Sequence, residues 1–518
     1  MSAHEDLKIL PFDTCGPTFA ALRDAGKRIV QCHGTFDLLH PGHIKHLQEA
    51  KAHGDVLVVT LTSAPYVNKG PGRPVFSDGQ RAYQLAHLEV VDHVVVIPHP
   101  YAVEAIEAVK PHVYCKGTEY AKPKDETDRR IDDDAAAVAR YGGAIQFVGA
   151  PLHSSTRLIA SHLDTLDPDV RVYLDRFPLA DANRHIDQLL TAIRGLKVLV
   201  VGDLILDRYS YCVVQGLTSK ARVLSVRPVR DEDSLGGSLA IARAVASWGC
   251  ETRLIALAGH EPFLDAALES LGSEPLQLDL VRDPGYPTIL KQRYVERPGK
   301  RKDLIKHFSV NRLHDKPSKA LQTRLLERLG SALDDCDLVI ACDYGHGMVD
   351  PEVQALLEER SPYLALNCQT NSYNYGFNLI TKYNRCDLFS LDERELCLAY
   401  GQRGVSEFEL LGRLGDQLSA QLGWLTLGSS GSVVWSKSGE THSCPAMTKQ
   451  TVDTVGAGDA FFAAAALCGR AGGDVALSSI LSNVSGAIAA NVIGNTEPVL
   501  QEVVVKNTRY LLKGAGQT

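Results

Sequence analysis

Short apolar runs alternate with amphipathic stretches along this chain, and the alternation leaves it few ways to fold. Arg28–Gln31, Asp55–Leu61, His93–Ile97 and Val113–Cys115 read as buried strands, and His43–Ala52, Asp78–Leu88 and Val103–Val109 as amphipathic helices. Such a pattern predicts a parallel sheet covered by helices on both faces. Strands drop out between about Leu163 and Arg194, where Asp167-Pro168 and Phe177-Pro178 break the chain, and resume at the apolar run Leu196–Val201, which ends in the turn Gly202-Asp203. The expected organisation is a first α/β domain over residues 28–162, a linker with one connecting helix over 163–194, and a second α/β domain over 195–505.

With 518 residues there is room for two or three domains, each able to bury its own core. A net charge of −8 and a pI of about 6.1 argue against nucleic acid or an anionic membrane as partner. Twelve cysteines without a C-x-x-C pair fit a reduced, cytosolic chain. Met1–Asp6 is polar and acidic, and no apolar run reaches the length of a membrane span, so the cytoplasm is the expected compartment.

Two strings carry chemistry. Near the C-terminus, Asp453-Thr454-Val455-Gly456-Ala457-Gly458-Asp459-Ala460 runs into the small apolar stretch Phe461–Leu467. Two glycines in three residues place bare backbone N–H groups at a helix N-terminus, where they can hold a transferring phosphoryl group, and Asp459 can accept a hydroxyl proton. An ordinary turn before a packed helix would also use Gly-Ala-Gly; the carboxylates on both sides and the Ala/Phe face behind set this one apart. Near the N-terminus, His33-Gly34-Thr35-Phe36-Asp37-Leu38-Leu39-His40-Pro41-Gly42-His43 leads from a strand through a turn into a helix. His40 and His43 thus fall at the carboxyl end of a strand, where open α/β sheets bind ligands, and can donate to phosphate oxygens. His40, His43 and His46 recur every third residue, which raises zinc as an alternative, but a structural zinc wants four ligands and no cysteine cluster accompanies them.

The C-terminal string closely resembles the signature of the ribokinase-like (PfkB) carbohydrate kinases. The N-terminal one resembles the His-x-Gly-His signature of the cytidylyltransferase-like nucleotidyltransferases, over roughly residues 28–160. The implied fold class is α/β: a Rossmann-like nucleotidyltransferase domain followed by a ribokinase-like domain. In the first domain the resemblance implies nucleotide or phosphate contacts from Thr35, Phe36, the basic loop Lys69-Gly70 and Arg73-Pro74, the helix start Gln80-Arg81, Lys116 of the Lys-Gly turn, and Ser155 and Thr156 of Ser154-Ser155-Thr156-Arg157. Taken singly, Lys69 and Arg73 would read as solvated charges; their order argues otherwise.

In the second domain the resemblance implies Asp459 as catalytic base, with Gly456, Ala457 and Gly458 on the migrating phosphoryl group. Asp203, Asp207, Gly236 and Gly237 fall at the sugar, although Asp207 alone would serve equally as a helix cap. Asp343-Tyr344-Gly345-His346-Gly347 forms a strand-end turn near the phosphates. Asp392 and Glu395 stand in the place of an Asn-x-x-Glu motif that helps order Mg²⁺, with a solvated helix face as the competing reading. Gly428 and Gly431 suit nucleotide phosphates, and Asn483 falls on the helix that borders adenine. Four departures from the pattern are visible: Ala240 where an Asn usually contacts sugar hydroxyls, His346 for Lys, Asn367-Cys368-Gln369 for Asp-Pro-Lys, and Asp392 for Asn.

Residues 196–500 look most like the kinase half of the bifunctional heptose-phosphate kinase/nucleotidyltransferases, here with the two halves in reversed order. The implied function is phosphorylation of a sugar, heptose 7-phosphate, at its anomeric hydroxyl, then nucleotidyl transfer to the sugar 1-phosphate to give an ADP- or CDP-sugar. ATP and Mg²⁺ are the implied cofactors, with CTP as an alternative nucleotide; the partners are the sugar and nucleoside triphosphates, and the reading leaves room for a homodimer. The competing expectations are a nucleotidyltransferase whose kinase-like half is a sugar-binding regulatory module, motivated by Ala240 and His346, and an assembly protein without turnover.

Overall fold

The computed structural model describes residues 8–67, 73–118, 130–148, 167–178, 180–269, 271–272, 274–297, 304–313, 316–402, 405–448 and 451–514. Two compact units share the chain, Met1–Asp167 and Pro168–Thr518. No helix among the described residues is long and apolar enough to cross a membrane.

The first unit contains β1 (Ile9–Leu10), α1 (Cys15–Asp24), β2 (Ile29–Gly34), α2 (Pro41–Lys51), β3 (Val56–Thr62), α3 (Asp78–Ala86), β4 (His93–Ile97), α4 (Val103–Val109), β5 (Val113–Gly117), α5 (Arg130–Ala139) and β6 (Ala144–Val148). All pairings are parallel, in the order β1-β4-β3-β2-β5-β6. β3 is buried along its whole length. Its Leu57, Val59 and Leu61 join one apolar cluster and Val56 and Val58 another, so helices cover both faces of the sheet. The strand order reverses between β2 and β5, and the carboxyl ends of these two strands frame the crevice in which such sheets bind ligands.

β1 and α1 lie before residue 28, where the sequence reading began the domain. A two-residue strand is too short to show periodicity, yet Cys15 and Phe19 of α1 are fully buried against Ile29 and Val58.

The second unit opens with α6 (Pro168–Asp175) and α7 (Ala182–Ile193), both in the stretch expected to be a linker with one helix. The Phe177-Pro178 break divides two helices here, and both belong to the second unit. The Tyr173 hydroxyl lies 2.9 Å from His442 Nε2, Arg509 donates to Asp187 at 2.5 Å, and Ile186, Leu189 and Ile193 are buried.

The strands that follow are β7 (Lys197–Gly202), β8 (Leu204–Leu217), β9 (Leu224–Gly237), β10 (Glu251–Ala258), β11 (Leu276–Arg282), β12 (Ile289–Glu296), β13 (Ile305–Arg312), β14 (Leu338–Asp343), β15 (Leu364–Cys368), β16 (Leu388–Asp392), β17 (Leu422–Thr426), β18 (Ser432–Ser436) and β19 (Thr441–Cys444). Between and after them run α8 (Ser238–Ala246), α9 (Pro262–Glu269), α10 (Lys319–Leu333), α11 (Pro351–Arg360), α12 (Glu393–Tyr400), α13 (Glu407–Gln417), α14 (Ala457–Arg470), α15 (Val475–Ala489) and α16 (Gln501–Gly514).

A nine-stranded sheet has the order β11-β10-β7-β14-β15-β16-β17-β18-β19, parallel up to β17 and antiparallel beyond it. Directly after β7 the chain leaves this sheet for a second, four-stranded one, β13-β12-β8-β9. Asp207 therefore lies within strand β8 and caps no helix. α14 is buried from Ala460 to Cys468, and its small side chains let α15 and α8 pack closely against it.

Candidate active sites

In the first unit, His40 is the N-cap of α2, with extended backbone, and its Nδ1 accepts the Gly42 amide at 3.1 Å. That bond fixes the tautomer: the proton of the neutral ring sits on Nε2. Nε2 is buried and has no hydrogen-bond partner among the described residues, and burial holds the ring below the usual imidazole range. The His40 and His43 rings stack with centroids 4.0 Å apart, and Phe36 meets His43 edge-on at 5.3 Å. The sequence reading put both imidazoles at the strand end, and the structure brings them together at the start of α2.

The Thr35 carbonyl accepts Arg81 at 2.7 Å, and Phe36 takes a left-handed φ of +46°. Arg73 points inward: its Nε donates to Asp37 at 2.5 Å, both side chains are buried, and its two terminal amino groups lack partners among the described residues. Lys116, at the end of β5, pairs with Asp134 at 3.2 Å. Asp37 and Asp134 were not picked out from the sequence; only folding sets them against cations distant in the chain. Lys69, Ser155 and Thr156 lie outside the described residues.

In the second unit, the glycine turn enters α14 through Gly456, whose φ of +82° favours glycine and whose Cβ would lie 2.0 Å from Asn495 Oδ1. The turn is anchored by Asp453, buried and accepting from Lys306 at 2.6 Å, Tyr209 at 2.6 Å, Val455 N at 3.1 Å and Gly494 N at 3.0 Å. The Ala457 amide goes to the Thr454 carbonyl at 3.3 Å. With Val455 and Ala457 thus engaged, the Gly456 and Gly458 amides have no backbone partner among the described residues, and beside Gly458 the Cβ direction is empty space.

Asp459, in the first turn of α14, accepts the Tyr344 hydroxyl at 3.1 Å and Gln369 Nε2 at 3.2 Å. Burial pushes its carboxyl up to about 6, with Asp207 adding to the rise and the Tyr344 and Gln369 bonds opposing it. A carboxylate in that range is a better base than an exposed aspartate. Asp459 lines a small cleft together with Gly456, Ala240, Arg243 and Asn495.

Asp203 and Asp207 lie at the start of the second sheet. Asp203 accepts the His346 amide at 3.3 Å, while its Oδ1 is buried without a partner among the described residues. Burial, with the neighbouring Asp343, raises it to about 7. Asp207 is held by Arg293. A Cβ on Gly236 would meet the Asp207 carboxylate at 2.1 Å, so the first glycine of the pair makes room for this acid.

Lys291 and Arg293 escaped the sequence reading. The parallel pairing of β12 with β8 sets Lys291 opposite Asp207, and desolvation holds this half-buried amine below the usual range, against the pull of Asp207, Asp203 and Asp459. The available signal was a Lys-x-Arg alternation within the strand Ile289–Glu296, which puts both cations on one face.

Asp392 and Glu395 form a reciprocal capping box at the start of α12, with bonds of 2.7 and 3.0 Å, and Glu395 also accepts Thr370 N at 3.0 Å. Burial and the Asp392 charge raise Glu395 to about 8. Gly428 and Gly431 flank a short turn after β17. Asn483 directs its amide to Ser432 Oγ at 2.7 Å and to the Ser479 carbonyl at 2.8 Å, so both amide protons are engaged within the protein.

Comparison with known proteins fits both halves of this geometry. Residues 196–502 match the pfkB family carbohydrate kinases, and residues 32–159 match the cytidylyltransferase-like family. The Bifunctional protein HldE of Aliarcobacter butzleri (strain RM4018) is 41% identical over 137 residues, 26% of this chain and 29% of that protein. The Bifunctional protein HldE of Koribacter versatilis (strain Ellin345) is 30% identical over 309 residues, 59% of this chain and 61% of that protein. The chain therefore matches less than two thirds of the length of either relative. Phosphofructokinase-2 from Escherichia coli, solved in complex with substrates and products, superposes with a TM-score of 0.50 at 13% identity, covering 61% of this chain and 99% of that one; the likeness is one of fold.

Proposed function

Because the chain belongs to the pfkB family of carbohydrate kinases, we propose that its second unit transfers the γ-phosphoryl group of ATP to the anomeric hydroxyl of a sugar, with heptose 7-phosphate as the acceptor. The first unit then joins a sugar 1-phosphate to the nucleotidyl group of ATP or CTP and releases pyrophosphate, giving an ADP- or CDP-sugar. The observation that carries the reading is the placement of Asp459: a carboxylate raised to about 6, in the first turn of a helix whose Gly456 and Gly458 amides are unpartnered among the described residues, lining a small cleft. Asp459 takes the proton of the acceptor hydroxyl, and the Gly456 and Gly458 amides meet the negative charge on the migrating phosphoryl group. Asp203 Oδ1, an acceptor without a partner among the described residues, supports the binding of a sugar hydroxyl.

Glu395 fits an indirect role toward Mg²⁺. It is buried beside Asp392, and a cation carried in by nucleotide phosphates needs only one or two protein carboxylates. When bound, the ion would neutralise phosphate charge. In the first unit, His40 Nε2–H and its stacked neighbour His43 suit the α-phosphate, where charge builds during nucleotidyl transfer.

A mass-spectrometric screen tests the whole reading. Sugars and sugar 7-phosphates are offered with ATP or CTP, and sugar 1-phosphates likewise. Phosphorylation of heptose 7-phosphate and formation of a nucleotide-sugar are expected. Binding of the sugar with no ADP released would contradict the kinase half.

A further inference from the structure

Both hydrogen bonds that reach the Asp459 side chain end on the same oxygen. The Tyr344 hydroxyl and Gln369 Nε2 donate to Oδ1, at 3.1 and 3.2 Å, and Oδ2 accepts none among the described residues. Neither donor is loose. Gln369 gives its backbone N–H to the Asp343 carbonyl at 2.9 Å, and its own carbonyl accepts Asn378 Nδ2 at 3.0 Å. The Tyr344 carbonyl accepts Asn371 Nδ2 at 2.7 Å and Asn374 Nδ2 at 2.9 Å. Asn378 reaches the Asp343 carboxylate at 3.2 Å and accepts Lys382 at 2.8 Å, while the Tyr383 hydroxyl closes on Asp343 at 2.8 Å. Asn374, Asn378 and Asp343 are buried. One asparagine-rich segment, residues 371–378, thus clamps the two backbone stretches from which the donors extend.

We propose that Gln369 and Tyr344 are positioning residues for phosphoryl transfer: together they hold Oδ1 of Asp459 and present Oδ2 to the acceptor hydroxyl. The proposal rests on the reading of Asp459 as the base. Geometry is the first reason for it, since a carboxylate fixed through one oxygen keeps the other in line with the proton it must take. Charge is the second. An amide orients the carboxylate without adding a cation, whereas an ammonium group at position 369 would stabilise the charged form and weaken the base.

The test measures single-turnover phosphoryl transfer from ATP to heptose 7-phosphate in Gln369→Leu, Gln369→Glu and Gln369→Lys from about pH 5 to about pH 9, a span that brackets the Asp459 titration. Pyrophosphate release by the first unit serves as the control for intact protein. Gln369→Leu should lose roughly 10- to 100-fold in rate, the scale of a misplaced reacting group, with the acceptor KM little changed. The acid limb of its pH profile should move to higher pH, because a donor to the charged form is gone. Gln369→Glu should move the limb upward by like-charge repulsion, and Gln369→Lys downward. If Gln369→Leu fails to fold, Tyr344→Phe carries the same expectation of an upward limb. Limbs that coincide with the wild type in the folded variants, or a loss confined to KM, would overturn the positioning role. Those results together with a dead Asp459→Asn would leave the base reading standing; an active Asp459→Asn would remove both.

Discussion

His40 and Asp459 both stand at the start of a helix, one as the cap of α2 and the other in the first turn of α14, yet one helix offers imidazole and the other a carboxylate. On the proposed function, the acceptors account for the difference. A sugar hydroxyl must lose a proton to attack phosphorus, so the kinase site needs a base. A sugar phosphate is already an anion, so the transferase site needs only donors for the charge that gathers on the α-phosphate. Burial acts on both groups by the same rule with opposite results: it raises Asp459 into the range of a useful base and keeps His40 neutral with its Nε2–H in place.

The sharpest way to break this contrast is Asp459→Asn. It should lower the kinase rate by about 10²- to 10⁴-fold, the usual share of a general base, while ATP binding and the fold persist. A calorimetric titration with ATP beside an ADP-release assay checks both halves; a variant keeping more than about a tenth of the wild-type rate would remove the base. His40→Asn comes next. It should cost transfer about 10²-fold, mostly in kcat, because the donor matters most in the transition state. A zinc role for the same histidine predicts stoichiometric metal in the native protein, which elemental analysis would reveal.

Smaller and more graded is the response to pH. The kinase rate should fall to half near pH 6 as Asp459 takes up a proton, since only its ionised form accepts one from the sugar. Over the same fall from neutrality the transferase should lose less of its rate, because burial holds His40 below the usual imidazole range. Parallel pH profiles of ADP and pyrophosphate release check the sign. A common limb in both would mean that the two sites do not differ as described.

The parallel strands were legible in the sequence because they are largely apolar runs buried along their length, as in β3, and their helices are long enough to show a face. Asp459 and the histidine pair were legible because each sits in a short, locally defined string. Lys291 and Arg293 were not, and Gln369 stood out only as a departure from the pattern. Their meaning comes from pairing across the chain: Lys291 faces Asp207 only through the register of β12 on β8, and Gln369 reaches Asp459 over 90 positions. Asp392 and Glu395 show a further limit of reading spacing alone. The same i, i+3 interval serves a capping box and a phosphate-ordering motif, and the structure shows the box formed.

The least effect is expected from the two capping boxes, one in each unit. Ser77→Ala, which removes the cap of α3, should cost about 1 kcal/mol of stability and leave both reactions unchanged. Asp392→Ala should cost α12 a similar ~1 kcal/mol, and in addition lower kinase turnover and raise the Mg²⁺ concentration it requires. Denaturant melts set beside a Mg²⁺ titration of ADP release separate the two; an unchanged Mg²⁺ requirement would confine Asp392 to capping.

The central claim is that two separable sites, one basic and one donor-only, work in this chain. It is tested most directly by assaying ADP release with heptose 7-phosphate and pyrophosphate release with heptose 1-phosphate on the same preparations of Asp459→Asn and His43→Ala. Each variant should lose one product and keep the other at the wild-type rate. Loss of both products in either folded variant, or retention of both, would contradict it.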